Sequence, residues 1–229
     1  MAHVIVVGGG AAGLSAALFT QKNGLETTVF DTDKTWLHKA HLFNYPGIGS
    51  QDGTVFLETL QRQAETFGVE RVSAEVSDVS ESGDGFTVTA DGEDHDADYV
   101  VLATGANRDL AESLGCDFDG DLVDVDVTME TSVDGAYATG AMVRAEEWQA
   151  VISAGDGAAA ALNILSTEKG ENYHDFDVPA DATRRSARWP TSRNLERRCE
   201  ADAHRSRSRR KRNERHHKRR ESVPAQPRT

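Results

Sequence analysis

The sequence predicts an α/β fold, with a central parallel sheet, helices packed against it and a small antiparallel β crossover layer. Two short apolar runs, Val4–Val7 and Asp98–Leu102, carry the first part of this prediction, and Thr27–Asp31 is predicted as the second strand. Such runs are typical of strands that are buried on both faces of a parallel sheet. Alternating residues at 71–90, followed by the hairpin signal Asp91-Gly92, predict the antiparallel layer.

A glycine-rich turn follows the first strand. Gly8, Gly10 and Gly13 fit the spacing G-x-G-x-x-G, and a segment rich in alanine comes directly after them. In this arrangement the first glycine makes a tight turn, the second lets a pyrophosphate reach the backbone, and the third allows close helix–strand packing. The N–H groups of Ala11 and Ala12 start the helix and would face the phosphates. These features predict a Rossmann-like dinucleotide-binding domain, with an ordinary βαβ unit without a ligand as the alternative.

Asp31 stands at the end of the second predicted strand, 18 residues after Gly13. A carboxylate about 20 residues beyond the glycine motif accepts hydrogen bonds from the ribose hydroxyls of an adenine dinucleotide. Its negative charge disfavours a 2′-phosphate. The site is therefore expected to prefer FAD or NAD to NADP.

The remaining elements are predicted from periodicity and from glycine. A loop at 32–53 is too long for a plain connection, which predicts a functional role for it. In the helix that follows, Val55 and Phe56 are expected to face the core. Small residues around Gly155 and Gly157 predict a helix face suited to close packing. The predicted elements are a helix at 54–67, strands at 71–78 and 85–90, a weaker strand at 121–127, a short strand at 133–140 and a helix at 146–165.

The charge of the chain is divided unevenly. Its net charge of −13 combines 17 basic and 5 acidic residues at positions 184–229 with 8 basic and 33 acidic residues before them. An acidic body of this kind repels itself in dilute buffer, and salt screens the repulsion. We therefore expect a protein from the salt-loaded cytoplasm of a halophile, with an ordinary acidic protein as the alternative.

The change in charge predicts three parts of the chain. Residues 1–170 form the nucleotide-binding domain, 171–183 a linker and 184–229 a basic tail with too little apolar surface to fold alone. The tail resembles a change of coding register as much as a functional module. Its clustered arginines would attract nucleic acid. The acidic body and the lack of a recognition fold argue against that function.

The cysteines and the hydropathy of the chain limit where the protein can be located and which kinds of site it can contain. Cys116 and Cys199 form no C-x-x-C pair, which favours a reducing, cytoplasmic location. Cys116 is interpreted as a buried structural residue, with a redox thiol as the alternative. His38 and His41 are interpreted as solvated side chains, with proton donation to a cofactor as the alternative. We expect no metal site and no membrane span, because neither ligand spacing nor a long apolar run is present.

Three further motifs follow in a fixed order. They are Asn44-Tyr45-Pro46-Gly47, the strand-end Ala103-Thr104-Gly105, and a late segment from Thr131 to Gly140. With these motifs, residues 2–165 resemble the FAD-binding domain of thioredoxin reductases and related pyridine nucleotide–disulfide oxidoreductases. The resemblance implies the same fold and an FAD cofactor.

The resemblance also implies positions for the parts of the cofactor. Asn44 and Tyr45 would lie along the flavin ring, and Val76 beside the adenine. Gln149 would precede the helix whose N-terminus faces the flavin pyrimidine. The expected cofactor-binding residues are Gly8, Gly10, Ala11, Ala12, Gly13, Asp31, Asn44, Tyr45, Val76, Ala103, Thr104, Gly105, Gly140, Ala141 and Gln149.

The sequence departs from this family at three places. Only the 34 positions from 106 to 139 stand where the family has an NADPH-binding domain that carries the redox C-x-x-C. Ala141 replaces an aspartate that binds the ribityl chain, which is expected to cost about 1–3 kcal/mol of FAD binding. Lys34–Leu37 replaces a Gly-Gly-Gln element. Thioredoxin reduction by this chain alone is therefore not expected.

The expected function is that of an FAD-dependent oxidoreductase in which a hydride or electrons pass through the flavin. The donor would be diffusing NADH or NADPH, or a separate protein that supplies the missing domain. A non-catalytic flavin- or dinucleotide-binding module is the alternative. A homodimer would cover the open flavin face, although no residue pattern requires one. Trp36 and Trp148 are interpreted as core or interface residues rather than as flavin contacts.

Overall fold

The computed structural model describes residues 1–177, which include the compact unit Met1–Asp175. The predicted basic tail at 184–229 lies outside the described residues. In chain order the elements are β1 (His3–Val7), α1 (Ala11–Lys22), β2 (Glu26–Phe30), a 3₁₀ turn (Trp36–Lys39), β3 (His41–Leu42), β4 (Gln51–Asp52), α2 (Gly53–Thr66), β5 (Glu70–Val72), β6 (Val76–Ser82), β7 (Gly85–Ala90), β8 (Glu93–Ala97), β9 (Tyr99–Leu102), α3 (Asp109–Leu114), β10 (Phe118–Asp119), β11 (Leu122–Val123), β12 (Ala136–Ala138), a second 3₁₀ turn (Gly140–Val143) and α4 (Ala150–Lys169).

The central sheet contains five parallel strands in the order β12-β9-β1-β2-β5. β1 lies in the middle, where Val4 pairs with Thr27 on one side and with Tyr99 on the other. The side chains of β1 from Val4 to Val7 are at most 5% exposed, as the apolar run predicts for a strand covered on both faces. The predicted α/β class with a central parallel sheet is confirmed.

The two faces of the central sheet pack against different layers. Val4 and Val6 share a core with α1, α2 and α4, whereas Ile5 and Val7 share a core with α3 and the antiparallel sheet β6-β7-β8. This division follows from strand geometry, because successive side chains point to opposite faces. The small antiparallel layer is therefore present as predicted, on one face of the central sheet.

Helices α1 and α4 approach each other closely at Gly157. A Cβ atom at this position would overlap the backbone carbonyl of Ala12, so only glycine fits here. At Gly155 a Cβ atom would meet nothing within 4 Å. Of the two glycines predicted to form a packing face, Gly157 alone has that role.

The single strand predicted at 71–78 was wrong, because this stretch forms two strands in different sheets. β5 ends at Val72, whose carbonyl accepts a hydrogen bond from the Asp31 N–H (3.0 Å). The chain then leaves the central sheet, and β6 begins at Val76 in antiparallel pairing with β7. Alternation reveals the period of a strand but not the sheet in which the strand pairs.

The bounds of both long helices also differ from the prediction. The last helix runs from Ala150 to Lys169 rather than over 146–165, and Gly170 ends it in the left-handed conformation with φ 67°. In α2, Phe56 is buried as expected, but Val55 is 38% exposed and faces outward. No helix within residues 1–177 has the length and apolar character needed to cross a membrane.

The connector between β9 and β12 contains α3 and the strand β10, neither of which was predicted, and β10 forms a short hairpin with β11. The hairpin pairs Phe118 with Val123, and its tip carries Gly120, which is exposed and has φ 62°. The weaker strand predicted at 121–127 is reduced to the two residues of β11. The strand predicted at 133–140 is reduced to the three residues of β12.

Candidate functional site

The parallel strands end at one long cleft of about 700 Å³, called here the strand-end cleft. Ligands of open α/β sheets bind at the carboxyl ends of the strands, so this is the expected position for a cofactor. The predicted site residues that line the cleft are Gly8, Gly10, Ala11, Ala12, Asp31, Asn44, Val76, Ala103, Thr104, Gly105, Gly140, Ala141 and Gln149.

The glycine turn at the end of β1 forms the floor of the strand-end cleft. Gly8 has φ 112°, and a Cβ atom there would overlap the carbonyl of Ala103. A Cβ atom at Gly13 would overlap the carbonyl of Gly8, so α1 can approach β1 only with glycine at this position. Gly10 is open, because the nearest atom to a Cβ there is Thr35 Oγ1 at 3.5 Å. The first turn of α1 has no side-chain cap, which leaves its N–H groups available to a pyrophosphate.

The Asp31 carboxylate lies at the end of β2 with its side chain 11% exposed. Its Oδ1 accepts a hydrogen bond from the Asp33 N–H (3.1 Å), and its Oδ2 lies 3.9 Å from Arg71 Nη2. A Cβ atom at Gly9 would overlap this carboxylate. Asp31 is thus held in one position, and its remaining lone pairs can accept hydrogen bonds from ribose hydroxyls.

Arg108 holds two strand ends of the cleft together. Its guanidinium donates hydrogen bonds to the carbonyls of Ala106 (2.9 Å), Ala141 (3.2 Å) and Met142 (3.1 Å). The loop after β9 and the turn after β12 are thereby fixed beside each other. Sequence reasoning did not single out Arg108, because no motif marks a side chain that binds backbone carbonyls across the fold.

Asn44 and Gln149 meet although 104 positions separate them in the chain. Asn44 Nδ2 donates a hydrogen bond to Gln149 Oε1 at 2.8 Å. Gln149 is the N-cap residue of α4, and its side chain makes no capping hydrogen bond to the helix. The partial positive charge of the α4 N-terminus therefore remains available at this end of the cleft.

The segment before α4 is anchored by an ion pair. Arg144 Nη2 donates to Asp156 Oδ1 at 2.7 Å, and Arg144 Nε lies 3.3 Å from Asp156 Oδ2. The Asp156 side chain is 7% exposed. The hydrogen bond from the guanidinium to this carboxylate raises the pKa of Arg144, which stays charged and holds the segment against the helix.

Two predicted site residues do not line the cleft. Gly13 acts beneath it, through the close packing described above. Tyr45 packs on Phe56 of α2, with ring centroids 5.3 Å apart, and joins the helical core. Of the two histidines in the same loop, His41 lines the cleft beside the Ser50 hydroxyl (2.8 Å), whereas His38 contacts Asp33 and Thr54 away from it.

The structure brings two further residues to the cleft. Trp36 and Trp148 both line it, and their side chains are 57% and 38% exposed. They were interpreted as core or interface residues. This exposure excludes a place in the core, and a role at an interface stays a prediction. The available signal was positional, since Trp36 stands in the segment that replaces the Gly-Gly-Gln element and Trp148 directly precedes Gln149.

Cys116 lies outside the strand-end cleft and is 7% exposed. Burial raises the pKa of its thiol, which keeps the sulfur protonated and weakly nucleophilic at neutral pH. This placement favours the structural interpretation over the redox one. Among residues 1–177, no group of three or more His, Cys, Asp or Glu side chains is arranged to hold a metal ion.

The residues of the cleft fit an adenine dinucleotide of the FAD type. Asp31 offers fixed acceptors at the end of β2, the open Gly10 and the uncapped α1 lie near the middle, and Gln149 marks a second uncapped helix beyond β12. A dinucleotide needs these features in the same order, namely acceptors for ribose, donors for pyrophosphate and a polar edge for the ring.

Comparison with known families gives two matches. The family model described as pyridine nucleotide-disulphide oxidoreductase matches residues 46–157, and the model described as FAD binding domain matches residues 3–40. Together they cover both the glycine motif and the later part of the cleft.

Similar proteins include thioredoxin reductases of several bacteria. That of Treponema pallidum is 30% identical over 187 residues, which cover 76% of this chain and 56% of the relative. That of Listeria monocytogenes is 29% identical over 137 residues, which cover 58% of this chain and 42% of the relative. The chain thus spans about half the length of these curated relatives.

Solved structures show the same fold. A thioredoxin reductase from Gloeobacter violaceus superposes with a TM-score of 0.70 at 21% identity, covering 77% of this chain and 99% of that chain. The atypical thioredoxin reductase TRi from Desulfovibrio vulgaris Hildenborough gives a TM-score of 0.69 at 18% identity, covering 75% and 99%. The family matches, the relatives and the shared fold show that this chain carries a thioredoxin reductase-like FAD-binding domain.

Proposed function

We propose that this chain is an FAD-dependent oxidoreductase whose electron donor is supplied in trans. The observation that carries the proposal is the continuity of the strand-end cleft, which joins the Asp31 carboxylate to the Asn44–Gln149 pair through one glycine turn. FAD, when bound there, supplies a two-electron acceptor that takes a hydride. The residues of this chain bind the cofactor, orient it and shape the electrostatics around it.

The residues divide this work along the cleft. The N–H groups of Ala11 and Ala12 would donate to the pyrophosphate, and Asp31 would accept from the adenosine ribose. The N-terminus of α4, beside Gln149, would offer partial positive charge to the flavin ring. Arg108 keeps the two strand ends at fixed separation, so these groups stay aligned.

The source of the electrons is inferred from the connector at 106–135. Its described elements are α3 and the hairpin β10–β11, which are too short to form a βαβ nucleotide unit of about 30 residues or more. Diffusing NADH or NADPH, or a separate donor protein, would fill that role. Thioredoxin is not assigned as the acceptor, because Cys116 and Cys199 form no C-x-x-C pair in the sequence and Cys116, within residues 1–177, is buried.

Anaerobic reduction tests this function directly. The protein is loaded with FAD in molar potassium chloride, separated from free flavin and titrated with NADH and, separately, with NADPH. We expect the visible flavin band to bleach with one of them, and dithionite gives the fully reduced reference. FAD that is bound but is bleached only by dithionite, and not by NADH, NADPH or added candidate reductases, would favour the non-catalytic binding module, whose support is the missing acceptor at Ala141. Failure to bind FAD would refute the oxidoreductase and the flavin-binding form of the module, and would leave only a dinucleotide-binding module without flavin.

Restoring the missing acceptor is expected to strengthen FAD binding. In Ala141→Asp a carboxylate enters the cleft lining beside the turn held by Arg108, and affinity for FAD should rise about tenfold, since such a hydrogen bond contributes about 1–3 kcal/mol. Ala106→Asp adds the same charge to another lining position and should not strengthen binding. Equilibrium titration monitored by flavin fluorescence compares the two variants, and equal affinities would contradict a specific role for position 141.

Three expectations stay predictions. They are the division into a domain at 1–170, a linker at 171–183 and a tail at 184–229, the homodimer, and the salt-loaded cytoplasmic setting. The salt-loaded setting can be tested by the unfolding midpoint. We expect the midpoint to rise with potassium chloride concentration, because salt screens the repulsion within an acidic body.

A further inference from the structure

Trp36 and Trp148 form an aromatic pair at the strand-end cleft. Their ring centroids lie 4.8 Å apart with an interplanar angle of 65°, an edge-to-face contact. Both rings line the cleft, and both keep a large exposed area, in contrast to the fully buried aromatic Tyr137 of the core. The pair is therefore a surface contact that faces the cofactor space.

The two tryptophans reach each other from opposite flanks of the central sheet. Trp36 belongs to the 3₁₀ turn after β2, and Trp148 to the segment that follows β12. β9 and β1 lie between those strands, so the strand ends are about 14 Å apart, three spacings of about 4.8 Å. The chain must cross over the cleft for the two rings to touch.

A second contact joins the same two segments. Asn44 and Gln149 share the 2.8 Å hydrogen bond described above, eight residues beyond Trp36 and one residue beyond Trp148. Two contacts, one aromatic and one polar, therefore join these two segments across the cleft, beside the N-terminus of α4.

Each tryptophan is supported by its own segment. The Trp148 indole Nε1–H donates to the carbonyl of Ala145 (3.2 Å), and Arg144 anchors that segment to Asp156. The turn that carries Trp36 is capped by Thr35, whose hydroxyl accepts from the Leu37 N–H (3.3 Å). The two sides can separate without disturbing either support.

We propose that Trp36 and Trp148 form a clasp that closes over FAD, contacts its isoalloxazine ring and slows its release. The proposal rests on the assignment of the strand-end cleft as the FAD site. Two indoles beside a planar ring system add stacking contact, and the exposed area of both rings is partly buried when the cofactor is bound. The clasp offsets the binding lost through Ala141 by acting at the same end of the cleft.

FAD release tests the clasp. In Trp36→Ala and Trp148→Ala, release after rapid dilution should be roughly three- to tenfold faster, the loss expected for one aromatic contact. The double variant should show less than the product of the two single effects, because either substitution opens the same contact. Phe43→Ala is the matched control, since Phe43 lies in the same loop, is 77% exposed and does not line the cleft.

Flavin fluorescence supplies a readout that a structural role would not change. An indole in contact with an excited isoalloxazine donates an electron and quenches the emission, whereas a phenyl ring does not. The fluorescence of bound FAD should therefore rise severalfold in the Trp36→Phe/Trp148→Phe double variant and stay unchanged in Phe43→Ala. If the wild-type protein binds FAD but the tryptophan variants show the same release rate and the same fluorescence as the wild type, the clasp is overturned and the proposed function is not. A wild-type protein that binds no FAD would overturn the proposed function as well.

Discussion

Replacing Gly157 by alanine is expected to destabilise the domain by about 1–3 kcal/mol, the range found when extra atoms are forced into a well-packed core. The added Cβ would overlap the backbone carbonyl of Ala12, and a backbone atom cannot move aside as the end of a flexible side chain can. Helix α1 would have to shift away from α4. The urea concentration at the unfolding midpoint should fall, with the slope of the transition unchanged.

Gly155→Ala provides the matched control within the same helix. A Cβ at this position meets nothing within 4 Å, so only helix propensity changes, and alanine is favoured over glycine by about 1 kcal/mol or slightly less. The two substitutions, two residues apart, should therefore shift the midpoint in opposite directions. Equal shifts would show that α1 and α4 do not pack as closely as described.

Asp31→Asn is expected to weaken FAD binding by roughly tenfold to a hundredfold, because hydrogen bonds to a charged acceptor contribute about 1.5–3 kcal/mol. The amide keeps the shape of the side chain but loses its charge and one of its acceptor oxygens. The substitution also removes the carboxylate 3.9 Å from Arg71 Nη2, while Arg71 Nη1 keeps its 2.7 Å ion pair with Glu65. Isothermal titration of the apoprotein with FAD measures the change in dissociation constant.

Asp33→Asn separates a local charge effect from a direct contact. Asp33 lies two residues from Asp31, does not line the cleft and has φ 56°, a conformation that asparagine also tolerates. Its FAD affinity should stay within about twofold of the wild type, since screened surface charges contribute little. A loss equal to that of Asp31→Asn would mean that general negative charge, not the ribose contact, controls affinity.

The parallel sheet and the glycine turn could be predicted because each leaves a local signature. Val4–Val7 is apolar without interruption, and Gly8 and Gly13 occupy positions where a Cβ would strike backbone atoms. Gly9 shows the limit of the motif. It stands at a position that G-x-G-x-x-G leaves free, yet the Asp31 carboxylate occupies the space of its Cβ.

The missed features depend on contacts between distant parts of the chain. The change of sheet between Val72 and Val76 is decided by pairing partners, not by alternation in the stretch itself. Arg108 binds the carbonyls of Ala141 and Met142, more than 30 positions away, and no local residue pattern predicts such a contact. Trp36 and Trp148 were expected in the core or at an interface because aromatic residues are more often buried, and only the contact between two distant loops brings them to the cleft.

The hairpin β10–β11 is a site at which a further domain can be inserted into this fold. Its tip at Gly120 is exposed, and small polar loop tips are where domain insertions succeed. The pairing of β9 with β12 and the three hydrogen bonds of Arg108 lie outside the hairpin and hold the cleft without it. A donor domain or a reporter inserted after Gly120 would therefore be tethered to the flavin domain in cis without any redesign of the nucleotide site.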